Sequence, residues 1–362
     1  MIARRQFIQF CLSALAAASL PAAARRLPFS NPMALPYEGQ NEVLPTSSKD
    51  VLAKEPKFKI IGVGGGGSNA AHHMIACGVP GVEYIFANTD AQALSLCGSH
   101  KIIQLHRKTL CAKTKDGRCR ETAELAANDI RSAIEGADML FITVGMGGGT
   151  GTGAAPVIAR IAKEMGIATV GVVTMPFEFE GERRLKKAEV GLIELRANVD
   201  TLIVMPNEKL LEILGDDATQ DEAFGYVNDQ MKAVISGIVK ITNVTSVVNV
   251  DFNDVLTIMR EPGKCMMGSA VASGPDRARL AAEQSLTHPL LAGINLYGAK
   301  GVLVVVTASR GSLKLSEAKL AMNTIRAHTS NATFEIYGTT NDEHLNGEIR
   351  VTVLATGLNI EA

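Results

Sequence analysis

From Lys57 onward the apolar positions fall into two alternating periods. Phe58 to Val63, Val82 to Ala87, Met139 to Val144, Ala168 to Thr174 and Thr201 to Met205 are short apolar runs that read as buried strands. Between them, Ser68 to Cys77, Ala123 to Glu135, Gly153 to Met165 and Leu185 to Ala197 carry helical spacing. Strand and helix in alternation predict right-handed crossovers and a parallel sheet, with a ligand crevice at the carboxyl ends of the strands. A long proline-free helical segment follows, from Asp221 to about Ile241. Beyond Thr245 the pattern becomes Val247 to Val250 (strand), Asp254 to Arg260 and Asp276 to Leu286 (helices), Gly301 to Thr307 (strand), Ser316 to Thr329 (helix), then strands Thr333 to Tyr337 and Ile349 to Thr356. This predicts a smaller α+β domain joined to the first by the long helix.

The start of the chain is different. Arg4-Arg5-Gln6-Phe7, an apolar stretch from Ile8 to Leu20 and the small residues Ala22 to Ala24 outline an export signal of the twin-arginine type. The competing reading is an extension that no export machinery reads. Residues 25–56 hold five prolines and little periodicity, as in a flexible arm. The expected organisation is therefore 1–24 signal-like, 25–56 arm, 57–220 nucleotide-binding domain, 221–245 central helix, 246–357 C-terminal domain and 358–362 tail.

Composition narrows the chemistry. At 362 residues and 46% hydrophobic, the chain is long enough for two domains, each with its own core. A net charge of -1 lacks the basic excess that nucleic-acid binding needs. The six cysteines form no CxxC pair, so no zinc ribbon or redox motif is present, and most are expected to be small buried hydrophobes. Cys111 and Cys119 share one polar stretch, where they would be a loop disulfide in an oxidising compartment and thiols in a reducing one.

Two glycine-rich turns carry the candidate chemistry. Gly62, Gly64 and Gly67 satisfy GxGxxG between a strand and a helix, which alone suggests a dinucleotide site. Gly145 to Gly153 reads GMGGGTGTG, again between a strand and a helix, with Thr150 and Thr152 able to donate to phosphate or cap the helix. Two such loops suit a nucleoside triphosphate better than one pyrophosphate. No GxxxxGK[ST] occurs, which excludes a P-loop NTPase. His72 and His73, early in the first helix, read as surface residues.

GVGGGGSNA and GMGGGTGTGAAP, with Asn88-Thr89-Asp90-Ala91-Gln92-Ala93-Leu94, Pro176-Phe177-Glu178-Phe179-Glu180-Gly181, Pro206-Asn207-Glu208-Lys209-Leu210, Asn249 to Val255 and Met266-Met267-Gly268-Ser269, resemble the FtsZ family of tubulin-like division GTPases. The likeness runs from about Lys57 to Gly357. It implies a Rossmann-like GTPase domain of tubulin/FtsZ type, a long central helix and a smaller α+β domain. It implies GTP or GDP as ligand, with Mg²⁺, held by Gly65, Gly66, Gly67, Ser68 and Asn69, by Asn88, and by Gly148, Gly149, Thr150 and Gly151. Glu180 and Arg184 match ribose and phosphate contacts, Asn207 and Phe224 would flank guanine, and Asn228 or Asp229 would read its edge. Asn249, Asp251 and Asp254 match the loop that activates water on the next subunit's nucleotide, so hydrolysis is tied to a head-to-tail filament.

The chain departs from the family in places. The family's third glycine-rich loop is replaced by Leu105 to Glu121, where Lys108, Lys113, Lys115, Arg118 or Arg120 either supply charged phosphate donors or form a solvated basic loop. The chain ends at Ala362 without the family's long linker and C-terminal peptide, so the resemblance does not carry over a membrane tether. GTP is a cytoplasmic nucleotide, which conflicts with an export signal; initiation at Met33 would reconcile the two. The expected function is a cytoplasmic GTPase of the septal ring, partnered by itself and by other division proteins. The alternatives are a non-hydrolysing regulator that co-assembles with a relative and, on GxGxxG alone, an NAD-dependent oxidoreductase.

Overall fold

The computed structural model describes residues 55–105, 118–215, 217–243, 251–261, 263–288, 291, 295–329 and 332–358. The signal-like segment, the arm up to residue 54, the strand expected at Val247 to Val250, and Met33, Lys108, Cys111, Lys113, Lys115 and Asn249 lie outside them.

The first half alternates as expected: β1 (Phe58–Val63), α1 (Gly64–Ala76), β2 (Val82–Asn88), α2 (Ala91–Ser95), β3 (Lys101–Gln104), α3 (Arg118–Leu125), α4 (Ala127–Ile134), β4 (Met139–Gly145), α5 (Gly149–Glu164), β5 (Ala168–Met175), α6 (Glu182–Arg196), β6 (Thr201–Pro206) and α7 (Asn207–Leu214). The long helix is α8 (Gln220–Asn243), followed by α9 (Phe252–Met259), β7 (Lys264–Ala272), α10 (Arg277–Leu286), β8 (Gly301–Ala308), α11 (Leu315–Arg326), β9 (Phe334–Asn341) and β10 (Ile349–Leu358). One ten-stranded sheet runs β3-β2-β1-β4-β5-β6-β7-β10-β8-β9. Strands β1 to β6 pair parallel, and the order reverses between β1 and β4, where both neighbours of the crevice are glycine turns.

Two strands were not legible in the hydrophobic pattern. The edge strand β3 has four residues, mostly exposed, and so lacks an apolar signature. In β7, KCMMGSAVA, the strand signal is broken by Gly268, where a Cβ would collide with the carbonyl oxygen of Ser285 on α10. The close approach of α10 explains the glycine. This strand is the seam of the molecule: it meets β6 at one parallel position, Ile203 with Cys265, and pairs antiparallel with β10 along most of its length.

The expectation of a separate core for each half is corrected by packing. On one face, a single apolar cluster runs from Phe58, Ile60 and Met74 through Val227, Met231, Val234 and Ile238 of α8 to Val304 on β8 and Val351 on β10. The other face of the nucleotide-binding half has its own cluster, including Ile61, Ile130, Ile142 and Ile158. Helix α8 is therefore a shared core element. The helix expected over Ala123 to Glu135 is two, broken at Ala126. Cys97, Cys119 and Cys265 are buried, as expected of apolar cysteines, whereas Cys77 is exposed.

Candidate functional site

The two glycine turns meet back to back at the β1/β4 switch point. Gly64 leaves β1 with φ +69° and Gly147 turns after β4 with φ +88°, conformations that side chains disfavour. A Cβ on Gly64 would lie 3.0 Å from the Gly151 amide nitrogen, and one on Gly66 would lie 3.2 Å from Gly145 Cα. A Cβ on Gly67 would strike the Thr143 carbonyl oxygen. Only bare backbone fits at this junction. An added Cβ on Gly65 would meet open space, and one on Gly148 would only reach the Gly145 carbonyl oxygen at 4.0 Å.

Helices α1 and α5 both start here, and neither N-terminus has a side-chain cap or an acid in its first turn. By contrast α6, α7 and α8 each carry an acidic residue in the first turn. Two uncapped helix N-termini converging without a carboxylate are a site for a polyanion. Thr89 at the end of β2 and Thr150 at the start of α5 share a 2.8 Å hydroxyl hydrogen bond, drawing a third strand end to the cradle. Ser68 Oγ is buried without a hydrogen-bond partner among the described residues, and Asn69 is exposed one position on. Thr152 differs from expectation: its hydroxyl accepts the Gly147 N–H at 2.9 Å and closes the turn, so it faces inward and not toward a ligand.

Side chains from the later strands border the cradle. Arg184 Nη1 pairs with Glu180 at 2.8 Å, while Glu180 Oε1 accepts the Phe177 N–H at 2.8 Å. The aliphatic stem of Arg184 lies directly over Gly147, linking this pair to the second turn. Asn88 is buried, its Oδ1 accepting the N–H groups of Thr89 and Asp90 at 2.8 and 3.3 Å, so its side chain shapes the strand end. Asn207 opens α7 with its Oδ1 buried and without a partner among the described residues, a polar atom able to receive a ligand donor. Phe224 is 38% exposed and rests edge-on against Phe177, ring centroids 5.5 Å apart. Asn228 lies one helical turn further along α8, on the same face. Asp229 points elsewhere, hydrogen-bonded to His73 Nε2 at 2.8 Å. Sequence reasoning did not give Thr89 or Phe177 individual roles; their signal was their position at the ends of β2 and β5.

The aspartates lie at the other end of the sheet. Asp251 caps α9 by backbone alone, with no side-chain cap, and among the described residues its carboxylate accepts a 3.4 Å hydrogen bond from Asn253 Nδ2. Asp251 and Asp254 are both exposed. The ring of Phe252 packs against Phe58, the first residue of β1, at 5.9 Å. The glycine turn begins after the last residue of β1, about 16 Å away at about 3.3 Å per residue. The structure thus brings the cofactor-binding candidates together and leaves the two described catalytic candidates at the opposite pole. Of the basic loop, Arg120 is engaged with Glu194 of α6 at 3.2 Å.

Comparison with known proteins agrees with this geometry. The model of the tubulin/FtsZ family GTPase domain matches residues 57–215, and that of the FtsZ family C-terminal domain matches residues 263–359. A solved FtsZ dimer of M. jannaschii superposes with a TM-score of 0.74 at 36% identity, covering 83% of this chain and 88% of that one. CetZ2 from Haloferax volcanii, at 18% identity and a TM-score of 0.70 over 84% of this chain and 93% of that one, shares the fold. Fold and matches together define a tubulin/FtsZ-type GTPase with a C-terminal domain. The cell division protein FtsZ of Pseudomonas aeruginosa PAO1 is 48% identical over 312 residues, 85% of this chain and 79% of that protein. That of Buchnera aphidicola subsp. Acyrthosiphon pisum is 46% identical over 313 residues, 86% and 81% respectively. The chain belongs to the FtsZ family. The oxidoreductase reading, resting on GxGxxG alone, gains no support.

Proposed function

We propose that the protein binds GTP in the crevice at the β1/β4 switch point and hydrolyses it in a head-to-tail filament that forms the septal ring. The observation that carries this reading is the separation of the two half-sites along β1, with Gly64 beyond one end and Phe252 against the other. Carboxylates at that distance cannot reach their own nucleotide. A translated copy stacked on the crevice would present Asp251 and Asp254 to it, and such a contact repeats without closing.

In this reading the backbone N–H groups of Gly65 to Asn69 and Gly148 to Gly151 hold the phosphates, Glu180 and Arg184 border the ribose, and Asn207, Phe224 and Asn228 hold the base. Asp229 is occupied by His73, which favours Asn228 as the residue facing guanine. Asp251 and Asp254 orient the attacking water and accept its proton. Mg²⁺ prefers oxygen donors together with phosphate and water, and the hydroxyls of Ser68, Thr89 and Thr150 are the ones the cradle offers. When bound it neutralises phosphate charge. Among the described residues no helix is long and apolar enough to cross a membrane. The proposed location is the cytoplasmic division site, with other division proteins as partners.

The test is GTP hydrolysis by the full chain as a function of its own concentration. Specific activity should rise sharply above a critical concentration. Constant specific activity would refute the shared site, and GTP binding without turnover at any concentration would make the protein the non-hydrolysing regulator.

A further inference from the structure

His73 of α1 and Cys77, the C-cap of that helix, lie one turn apart, and Asp229 of α8 faces them. Asp229 Oδ1 is 2.8 Å from His73 Nε2, and Cys77 Sγ is 3.6 Å from the same nitrogen. The three donor atoms all lie within 4.8 Å of one another, a convergence of His, Cys and carboxylate found at no other place among the described residues. We propose that His73, Cys77 and Asp229 form a transition-metal site, of the Zn²⁺ class, that ties α1 to the central helix.

The spacing fits that chemistry. With Zn–S of about 2.3 Å and Zn–N of about 2.0–2.1 Å, a tetrahedral ion separates sulfur from nitrogen by about 3.6 Å. The Cys77 to His73 distance already has this value. Nitrogen and carboxylate oxygen would stand about 3.3 Å apart around the same ion, so Asp229 has to withdraw by about half an ångström. The other two ligands are fixed by their backbone. Cys77 N–H donates to the His73 carbonyl at 3.0 Å, which locks the residues one helical turn apart.

Access and selectivity point the same way. The side chains of His73 and Asp229 are 28% and 56% exposed, and Cys77 is exposed, so an ion can enter from solution and keep water in its fourth position. One thiolate and one imidazole select a borderline-soft ion over Mg²⁺ or Ca²⁺. The site is therefore chemically separate from any Mg²⁺ held with phosphate. Its neighbour Cys97 also approaches a histidine, His72 at 3.6 Å, but that pair has no third ligand among the described residues and its thiol is buried.

The position gives the metal something to do. His73 lies one turn beyond Asn69 on the helix that opens at the first glycine turn, and Asp229 adjoins Asn228 on the helix that carries Phe224. A bound ion would hold the two helices that border the crevice in one arrangement.

The full-length chain without a metal-binding tag should be titrated with Co²⁺ as a spectroscopic substitute, then with Zn²⁺. The expected result is one Co²⁺ per chain with tetrahedral visible bands and a thiolate charge-transfer band in the near ultraviolet, all bleached by Zn²⁺ and unaffected by excess Mg²⁺. Cys77→Ser should lose the charge-transfer band while circular dichroism shows the fold intact. His73→Ala and Asp229→Asn should each weaken binding by more than about tenfold. Absence of saturable binding, a charge-transfer band that survives Cys77→Ser, or unchanged affinity in Asp229→Asn would each overturn the proposal.

Discussion

An aspartate that begins a helix normally folds its side chain back onto the first N–H groups, which removes it from chemistry. Asp251 does not, although it occupies the N-cap position of α9, and its carboxylate stays exposed. Replacing it therefore removes little from the fold. Asp251→Ala should retain GTP affinity and thermal midpoint while losing about 10²-fold or more in turnover, as expected for a group that handles the proton of the attacking water. Equilibrium binding and steady-state hydrolysis on the same preparation check this, and loss of binding would show that the loop serves the nucleotide of its own chain. Of the two histidines expected at the surface, His73 keeps a partly exposed side chain, whereas His72 is drawn against the core. His72 stacks on Phe86 with ring centroids 4.5 Å apart, and burial lowers its pKa, with nearby His100 adding to the effect.

At the scale of elements, one side chain cross-links several parts of the C-terminal half. Arg277 at the start of α10 is buried and donates to both carboxylate oxygens of Glu317, at 2.8 and 3.0 Å, and to the carbonyls of Ser312 and Gly347. It joins α10, α11 and the turn before β10. Arg277→Ala leaves Glu317 with only the Lys314 N–H and removes the donor to two carbonyls, and should cost about 3 kcal/mol in urea denaturation. The hydrogen bond from Arg277 holds the Glu317 carboxyl below the usual glutamate range despite its burial. A depressed folded-state pKa means stability that is complete above the ordinary value of about 4.3 and lost as pH falls through the folded one. The wild type should lose stability in this acid window, and Arg277→Ala, already without the pair, should lose less of it there. A parallel acid dependence in the two proteins would assign the effect to other carboxylates.

For the whole molecule, the two poles of β1 make a prediction about mixtures. Gly65 is exposed and a Cβ there meets nothing, so Gly65→Asp should fold while its carboxylate repels phosphate from the cradle. Neither Gly65→Asp nor Asp251→Ala should hydrolyse GTP alone. Mixed, they should recover activity, because a Gly65→Asp subunit still presents its Asp251 to the intact cradle of its neighbour. A mixture as silent as its components would place both half-sites in one chain. The elements behind this arrangement were largely readable in order: periodicity located β1, β2, β4, β5, β6 and α8, because a strand or helix buried on a defined face must show its period locally. The strands β3 and β7 were not readable, one because an exposed edge needs no apolar face, the other because α10 presses a glycine into its middle.

The sequence by itself determined that two bare-backbone turns would each open a helix after a strand, since positive φ and close approach demand glycine wherever they occur. It also determined the family, through motifs whose order survives without any knowledge of distance. Only the tertiary structure decided that those turns pack against each other, that Thr152 turns inward while Thr150 meets Thr89, and that Asp229 is claimed by His73. The same holds for the shared core on α8 and the placement of Asp251 at the far end of β1. These are relations between residues far apart in the chain, and they follow from how the sheet is ordered and which faces of its helices are buried, information that no local pattern carries.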